Sequence, residues 1–172
     1  MPASAYAGAA CRFSTWYATQ TTPATLVDGH NGTVAATCPS STGSPGTAEL
    51  QLALNGHDWE PAPAPLVFGF YRPPVLRLVV PAGAPPGTAV QLIGANLGGG
   101  ESPGVTHSCR FGGVVVPGVL QAEGRVINNA HWEDTVRCVV PRGIVGRVRL
   151  SVSLNGQQYT EEDVKFAVAP EA

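Results

Sequence analysis

The phrase Leu-Asn-Gly occurs at Leu54–Gly56 and again at Leu154–Gly156. Each time it ends an alternating apolar run and is followed by an aromatic residue, Trp59 or Tyr159. Cys38 and Cys138 each lie 16 residues before the leucine of the phrase. The triplet Cys-Arg-Phe comes earlier still, at Cys11–Phe13 and at Cys109–Phe111, so the two cysteines stand 27 apart in the first copy and 29 apart in the second. Three anchors in one order, with one spacing identical and the other shifted by two, mean that the chain repeats itself. The unit is about a hundred residues, too long for a solenoid repeat and the right size for a small sandwich domain.

Composition supports many short strands. The 172 residues include 21 Gly and 16 Pro, while charged residues make up only 13%. That mixture disfavours long helices and suits strands joined by tight turns. A net charge of −2 and abundant Val and Leu argue against disorder, and also against the basic face that nucleic acid requires. No run of apolar residues is long enough to span a membrane, and the N-terminal segment lacks the charged and apolar regions of a signal peptide.

The second copy reads as a series of strands: "VLRLVV" (Val75–Val80), "AVQLIGANL" (Ala89–Leu97) with Gly94 marking a bend or bulge, "CRFGGVVV", "TVRCVVP", "RVRLSVSLNG" and "VKFAVA". Short Val/Leu-rich runs between Gly, Pro and Asn turns describe an antiparallel sandwich. Asn55-Gly56 and Asn155-Gly156 predict type I′ hairpin turns, each with a return strand opened by Trp59 or Tyr159. These aromatics are expected to pack rather than to contact a ligand. The expected domains are 1–72 and 73–170. In the second copy 34 residues separate Val75 from Cys109, whereas only ten precede Cys11. The first domain is therefore expected to lack its two N-terminal strands. Pro73-Pro74 leads from one unit to the next and predicts a stiff rod with limited interdomain freedom.

These segments resemble the IPT/TIG family, the immunoglobulin-like domains shared by plexins and transcription factors. The matching elements are "VVPAGAPPGTAVQLIGANL" (Val79–Leu97), "CRFGG" (Cys109–Gly113), "VRCVVP" (Val136–Pro141) and "VRLSVSLNGQQYT" (Val148–Thr160). The family's Gly-Gly-Thr-like turn reads Pro85-Pro86-Gly87-Thr88 here, and its Gly-x-Asn ending is Gly94-Ala95-Asn96. The first copy matches from Cys11–Phe13 through Ala36–Ser40 to Leu52–Trp59. The resemblance implies an all-β fold of two tandem immunoglobulin-like (E-set) β-sandwiches. The variety with cysteines in these places resembles extracellular tandem arrays of plexins, the hepatocyte growth factor receptor group and fibrocystin-like proteins. Such modules space a receptor or carry contact surfaces, without a cofactor or chemistry of their own. The implied partners are other protein domains or neighbouring repeats of the parent chain, with no nucleic acid and no membrane insertion in this segment.

Two cysteines per copy at near-equal spacing read as disulfides Cys11–Cys38 and Cys109–Cys138, which would imply an oxidising compartment. Zinc ligation and reduced core thiols are the alternatives. Asn31-Gly32-Thr33 is an N-glycosylation sequon that fits the same compartment. His30, His57, His107 and His131 fall at separate positions without metal-ligand spacing and are expected as exposed loop residues. Three consecutive acids, Glu161-Glu162-Asp163, in an extended segment cannot all face one calcium ion. "GANLGGGESPG" (Gly94–Gly104) lacks the lysine and following helix of a phosphate loop. Nothing resembles an activated nucleophile or a carboxylate pair.

The expected function is a non-catalytic extracellular module. Two other classes compete with it. An accessory module of a secreted carbohydrate-active enzyme would need exposed aromatics, for which Trp16, Tyr17, Trp59 and Trp132 are candidates. A Rel-like intracellular dimerisation domain would need reduced cysteines and a basic neighbour.

Overall fold

The computed structural model describes residues 8–59, 66–100, 103–127 and 131–171; of residues 122–127 and 131–132 it describes the backbone. Trp132 and the His131 ring therefore lie outside the described side chains. Strands make up nearly all the regular structure, and the described residues contain no α-helix. The chain divides into two compact units that part at Phe70 and Tyr71.

The first unit contains β1 (Ala10–Ser14), β2 (Thr19–Pro23), β3 (Thr25–Asp28), β4 (Val34–Thr37), β5 (Gly46–Ala53) and β6 (Leu66–Phe70). Four strands form one sheet in the order β2-β1-β5-β6, and β3 and β4 form a separate hairpin. The second unit contains β7 (Val75–Val80), β8 (Gly83–Ala84), β9 (Ala89–Ala95), β10 (Ser108–Phe111), β11 (Val114–Ile127), β12 (His131–Val139), β13 (Gly146–Ser153) and β14 (Val164–Val168). Its strand order is β7-β9-β12-β11-β10-β13-β14-β8.

This second unit closes into two layers because β11 changes partner. It pairs with β10 through Val114–Pro117 and with β12 from Gly118 onward. Pro117 has no N–H to give to a ladder, so the sequence itself marks the crossover. Register shifts after Leu120 add the irregularity that lets a long strand bend. Between the layers Leu76, Val90, Leu92 and Val136 meet Phe111, Leu150, Val152 and Phe166, all sealed from solvent. Phe111 and Phe166 contact edge to face, with centroids 5.5 Å apart. Burying each such side chain contributes roughly 1.5–3 kcal/mol.

The repeat in the sequence becomes a repeat of register. Cys11 lies opposite Leu52 and Phe13 opposite Leu50; Cys109 lies opposite Val152 and Phe111 opposite Leu150. Gly46 opposite Phe70 likewise matches Gly146 opposite Val168. The cores differ in depth. Leu150, Val152 and Phe166 are fully enclosed, whereas Leu50, Leu52 and Phe68 pack as half-buried residues around Cys11, Phe13 and Ala48. Among the described residues the first unit has no strands in the places of β7 and β9.

The Asn-Gly turns differ from expectation. Gly56 and Gly156 take positive φ, but Asn31 and Asn96 are the described non-glycine residues that do so, which rules out type I′ at Asn55 and Asn155. The Asn55 carboxamide oxygen instead accepts the N–H groups of His57 and Asp58, at 2.9 Å each. Asn155 does the same for Gln157 and Gln158, at 2.9 and 3.0 Å. Asparagine here caps a wider connection, because its side chain competes with the backbone for these donors. Trp59 and Tyr159 consequently lie in the connection and do not open the return strands, which begin beyond them as β6 and β14.

Candidate interaction surfaces and the site residues

Each unit holds a disulfide that starts from its Cys-Arg-Phe strand. Cys11 is joined to Cys38 and Cys109 to Cys138, with Cα atoms 6.4 and 6.5 Å apart, inside the span that a disulfide bridges. In the second unit the bond links β10 to β12, tying the two layers across the crossover strand. Gly118 passes beside it: a Cβ there would stand 3.1 Å from the Cys138 sulfur, 3.3 Å from the Cys109 sulfur and 3.0 Å from a Val136 methyl.

The repeated aromatic has a partner that sequence reading missed. The Arg12 guanidinium stacks over the Trp59 ring at 4.5 Å, and Arg110 over Tyr159 at 4.1 Å. The arginine is the middle residue of Cys-Arg-Phe, so two recurring phrases meet in space and hold the Asn-capped connection against the sheet. Cation–π contacts contribute roughly 0.5–2 kcal/mol, depending on their exposure. The repetition of Arg beside Cys, together with that of the aromatic four residues after Asn, was the available signal. Trp59 is thus occupied and half-buried.

The Gly-rich segment after β9 is held by an acid. Asp134, buried on β12, accepts the N–H groups of Leu97 at 2.8 Å and Gly98 at 3.0 Å. His107 is half-buried, not the exposed loop residue expected, with its Nε2 2.6 Å from the Leu97 carbonyl oxygen. Asn96 takes φ 58° and donates its amide to the Pro73 carbonyl at 3.3 Å. Two N–H groups of the Gly-rich segment are therefore already bound by a carboxylate. Replacing Asp134 with Ala strands two buried N–H groups; a loss of roughly 2–4 kcal/mol is expected in denaturant unfolding, and a smaller one for Asp134→Asn, which keeps a carbonyl acceptor.

The remaining candidates disperse. His30 and His57 are exposed, and the backbone of His131 lies at the start of β12, a strand and not a loop. Arg149 donates to the carbonyls of Glu161 and Glu162, the Glu162 carboxylate accepts from Leu76 N at 3.4 Å, and Asp163 pairs with Lys165 at 2.9 Å. That contact with Lys165 holds the Asp163 carboxyl below the ordinary carboxylate range. The Glu162 and Asp163 carboxylates thus take separate partners, and among the described residues no three His, Cys, Asp or Glu side chains gather to hold a metal. No described helix is long and apolar enough to cross a membrane.

Asn31 stands exposed with φ 60° in a 3-10 turn at the tip of the β3–β4 hairpin. Thr33 of the sequon donates its hydroxyl to the His30 carbonyl at 2.7 Å. Elsewhere in the first unit, Trp16 and Tyr17 project from the β1–β2 turn, 95% and 50% exposed.

Curated proteins show no match to this chain. The family model of the IPT/TIG domain matches residues 74–168, which is more than half of the sequence and takes in every strand of the second unit. With its two-layered all-β architecture, the Gly94-Ala95-Asn96 ending and the Cys-Arg-Phe strand set against β13, the chain belongs to the IPT/TIG domain family.

Proposed function

We propose that the chain is a non-catalytic, extracellular tandem IPT/TIG segment of a larger cell-surface or secreted protein, serving as a spacer and a protein-contact surface. IPT/TIG domains are immunoglobulin-like modules of protein interaction. The observation that carries the finer reading is the pair of disulfides, one in each unit, whose first cysteines, Cys11 and Cys109, hold matching registers against β5 and β13. Two such bonds persist where the surroundings are oxidising. The first unit is read as a second copy, residues 1–72. Pro73-Pro74 supports a stiff passage to the complete copy at 73–170.

The exposed sequon at a hairpin tip supports the secretory route. Expression through a eukaryotic secretory pathway should add one N-glycan, removed by Asn31→Gln and seen as a single mass step on intact-protein mass spectrometry. A secreted, folded chain that carries no glycan at Asn31 would count against this placement. The accessory-module reading keeps one supporting observation, the exposed Trp16–Tyr17 pair.

A further inference from the structure

Trp16 and Tyr17 are not needed to make their turn. The equivalent connection in the second unit, from Phe111 into β11, is Gly112-Gly113, with φ 60° at Gly112. The first unit leaves the corresponding strand after Ser14 but inserts a longer turn bearing two large aromatics. That turn is firmly set. Thr15 N–H donates to the Ala18 carbonyl at 2.8 Å, its hydroxyl donates to the same carbonyl at 3.0 Å, and Ala18 N–H donates back to the hydroxyl at 3.0 Å. The rings meet edge to face with centroids 5.2 Å apart, yet Trp16 remains 95% exposed. A tryptophan held rigidly in water forfeits the burial that normally justifies its size.

Tyr17 also forms one wall of a cleft of about 390 Å³ within the first unit. Phe13, Phe70, Gln20, Ser41, Thr42 and Ser44 also line it. Gln20 and Thr42 already face one another, the Thr42 hydroxyl 3.5 Å from the Gln20 carboxamide oxygen. No charged side chain is among the residues lining this cleft. Such a site offers flat apolar faces beside neutral hydroxyl and amide groups. A pyranose ring presents the complement: a face of C–H bonds that packs on an aromatic ring, and a rim of hydroxyls that both donate and accept. A charged ligand would find no counter-ion, and a purely apolar one would strand the hydroxyls.

We propose that the Trp16–Tyr17 turn and the adjoining cleft form a binding site for a neutral oligosaccharide. Trp16 and Tyr17 serve as the stacking platform at the rim, and Gln20, Thr42 and Ser44 as hydrogen-bonding partners. The assignment rests on the cleft and the turn alone and does not depend on the proposed compartment or on the tandem reading.

The test is titration of the full chain with cellohexaose, xylohexaose, maltohexaose and the acidic hexagalacturonic acid, followed by tryptophan fluorescence and calorimetry. At least one neutral sugar is expected to bind with Kd on the order of 1 mM or tighter, shifting tryptophan emission to the blue as water leaves Trp16. Trp16→Ala and Tyr17→Ala should each weaken binding about tenfold or more. Gln20→Ala should weaken it without changing the thermal midpoint, while Val145→Ala, an exposed apolar position in the other unit, should leave it unchanged. Absence of binding by all four sugars at about 20 mM, equal binding by Trp16→Ala, or a change in self-association in Trp16→Ala without sugar binding would each overturn the proposal, the last by placing a protein on this surface.

Discussion

Replacing Gly94 with alanine is expected to unfold the second unit or to lower its stability by about 4 kcal/mol or more. A Cβ built at Gly94 would stand 1.9 Å from the carbonyl oxygen of Val75 and about 3 Å from two further backbone atoms of Val75 and Leu76. No rotamer relieves such a clash, because the obstacle is the backbone of the neighbouring strand. Gly94 faces Leu76 across the β7–β9 ladder, where the register slips between Leu76 and Leu78. The irregularity thus belongs to β7, at Arg77, and glycine is what lets β9 lie against it. Arg77 extends to Glu133 at 3.1 Å, so an ion pair with a largely buried carboxylate depends on the same bulge. Hydrogen exchange on the full chain should show β7, β9 and β12 losing protection together in Gly94→Ala. Gly113→Ala, where an added methyl meets nothing within 4 Å, should match the parent.

Removing the second disulfide by Cys109→Ala with Cys138→Ala is expected to destabilise that unit by roughly 3–4 kcal/mol, the loop-closure contribution for a bond of this span. For a domain of about a hundred residues this corresponds to a fall of roughly 15–25 °C in Tm. The sulfurs also occupy space that Gly118 leaves free. Gly118→Ala should therefore be strongly destabilising in the parent and less so once both sulfurs are gone, which a double-mutant cycle would register as a favourable coupling. Additive effects would mean that the crossover strand does not rest on the disulfide.

Much of the second unit was legible from residues alone. Val75–Val80 and "VKFAVA" read as strands, and the structure has β7 over Val75–Val80 and β14 over Val164–Val168. Gly87, with φ 87°, closes the turn in Pro85–Thr88 through a Thr88 N–H bond to the Pro85 carbonyl. Three features escaped. The Asn-Gly turns were misread because the same pair serves a hairpin when asparagine adopts positive φ and a side-chain cap when it does not; the choice depends on the length of the connection that follows. The stacking of Arg12 on Trp59 joins residues far apart in sequence, and periodicity carries no information about contacts at that distance. No local pattern singles out Asp134; that it binds the N–H groups of Leu97 and Gly98 follows only once β9 and β12 are paired in register. In the first unit Trp16 and Tyr17 were noticed as aromatics, but the cleft beside them is built by the segment 41–44 and β6, whose convergence no local pattern announces.

Digesting the unreduced, alkylated chain and sequencing its linked fragments reads out the covalent pattern on which the whole picture stands. Two intramolecular links are expected, Cys11 to Cys38 and Cys109 to Cys138, each confined to its own half. Free sulfhydryls at any of the four positions in protein recovered from an oxidising environment, or a bridge that joins one half to the other, would contradict it.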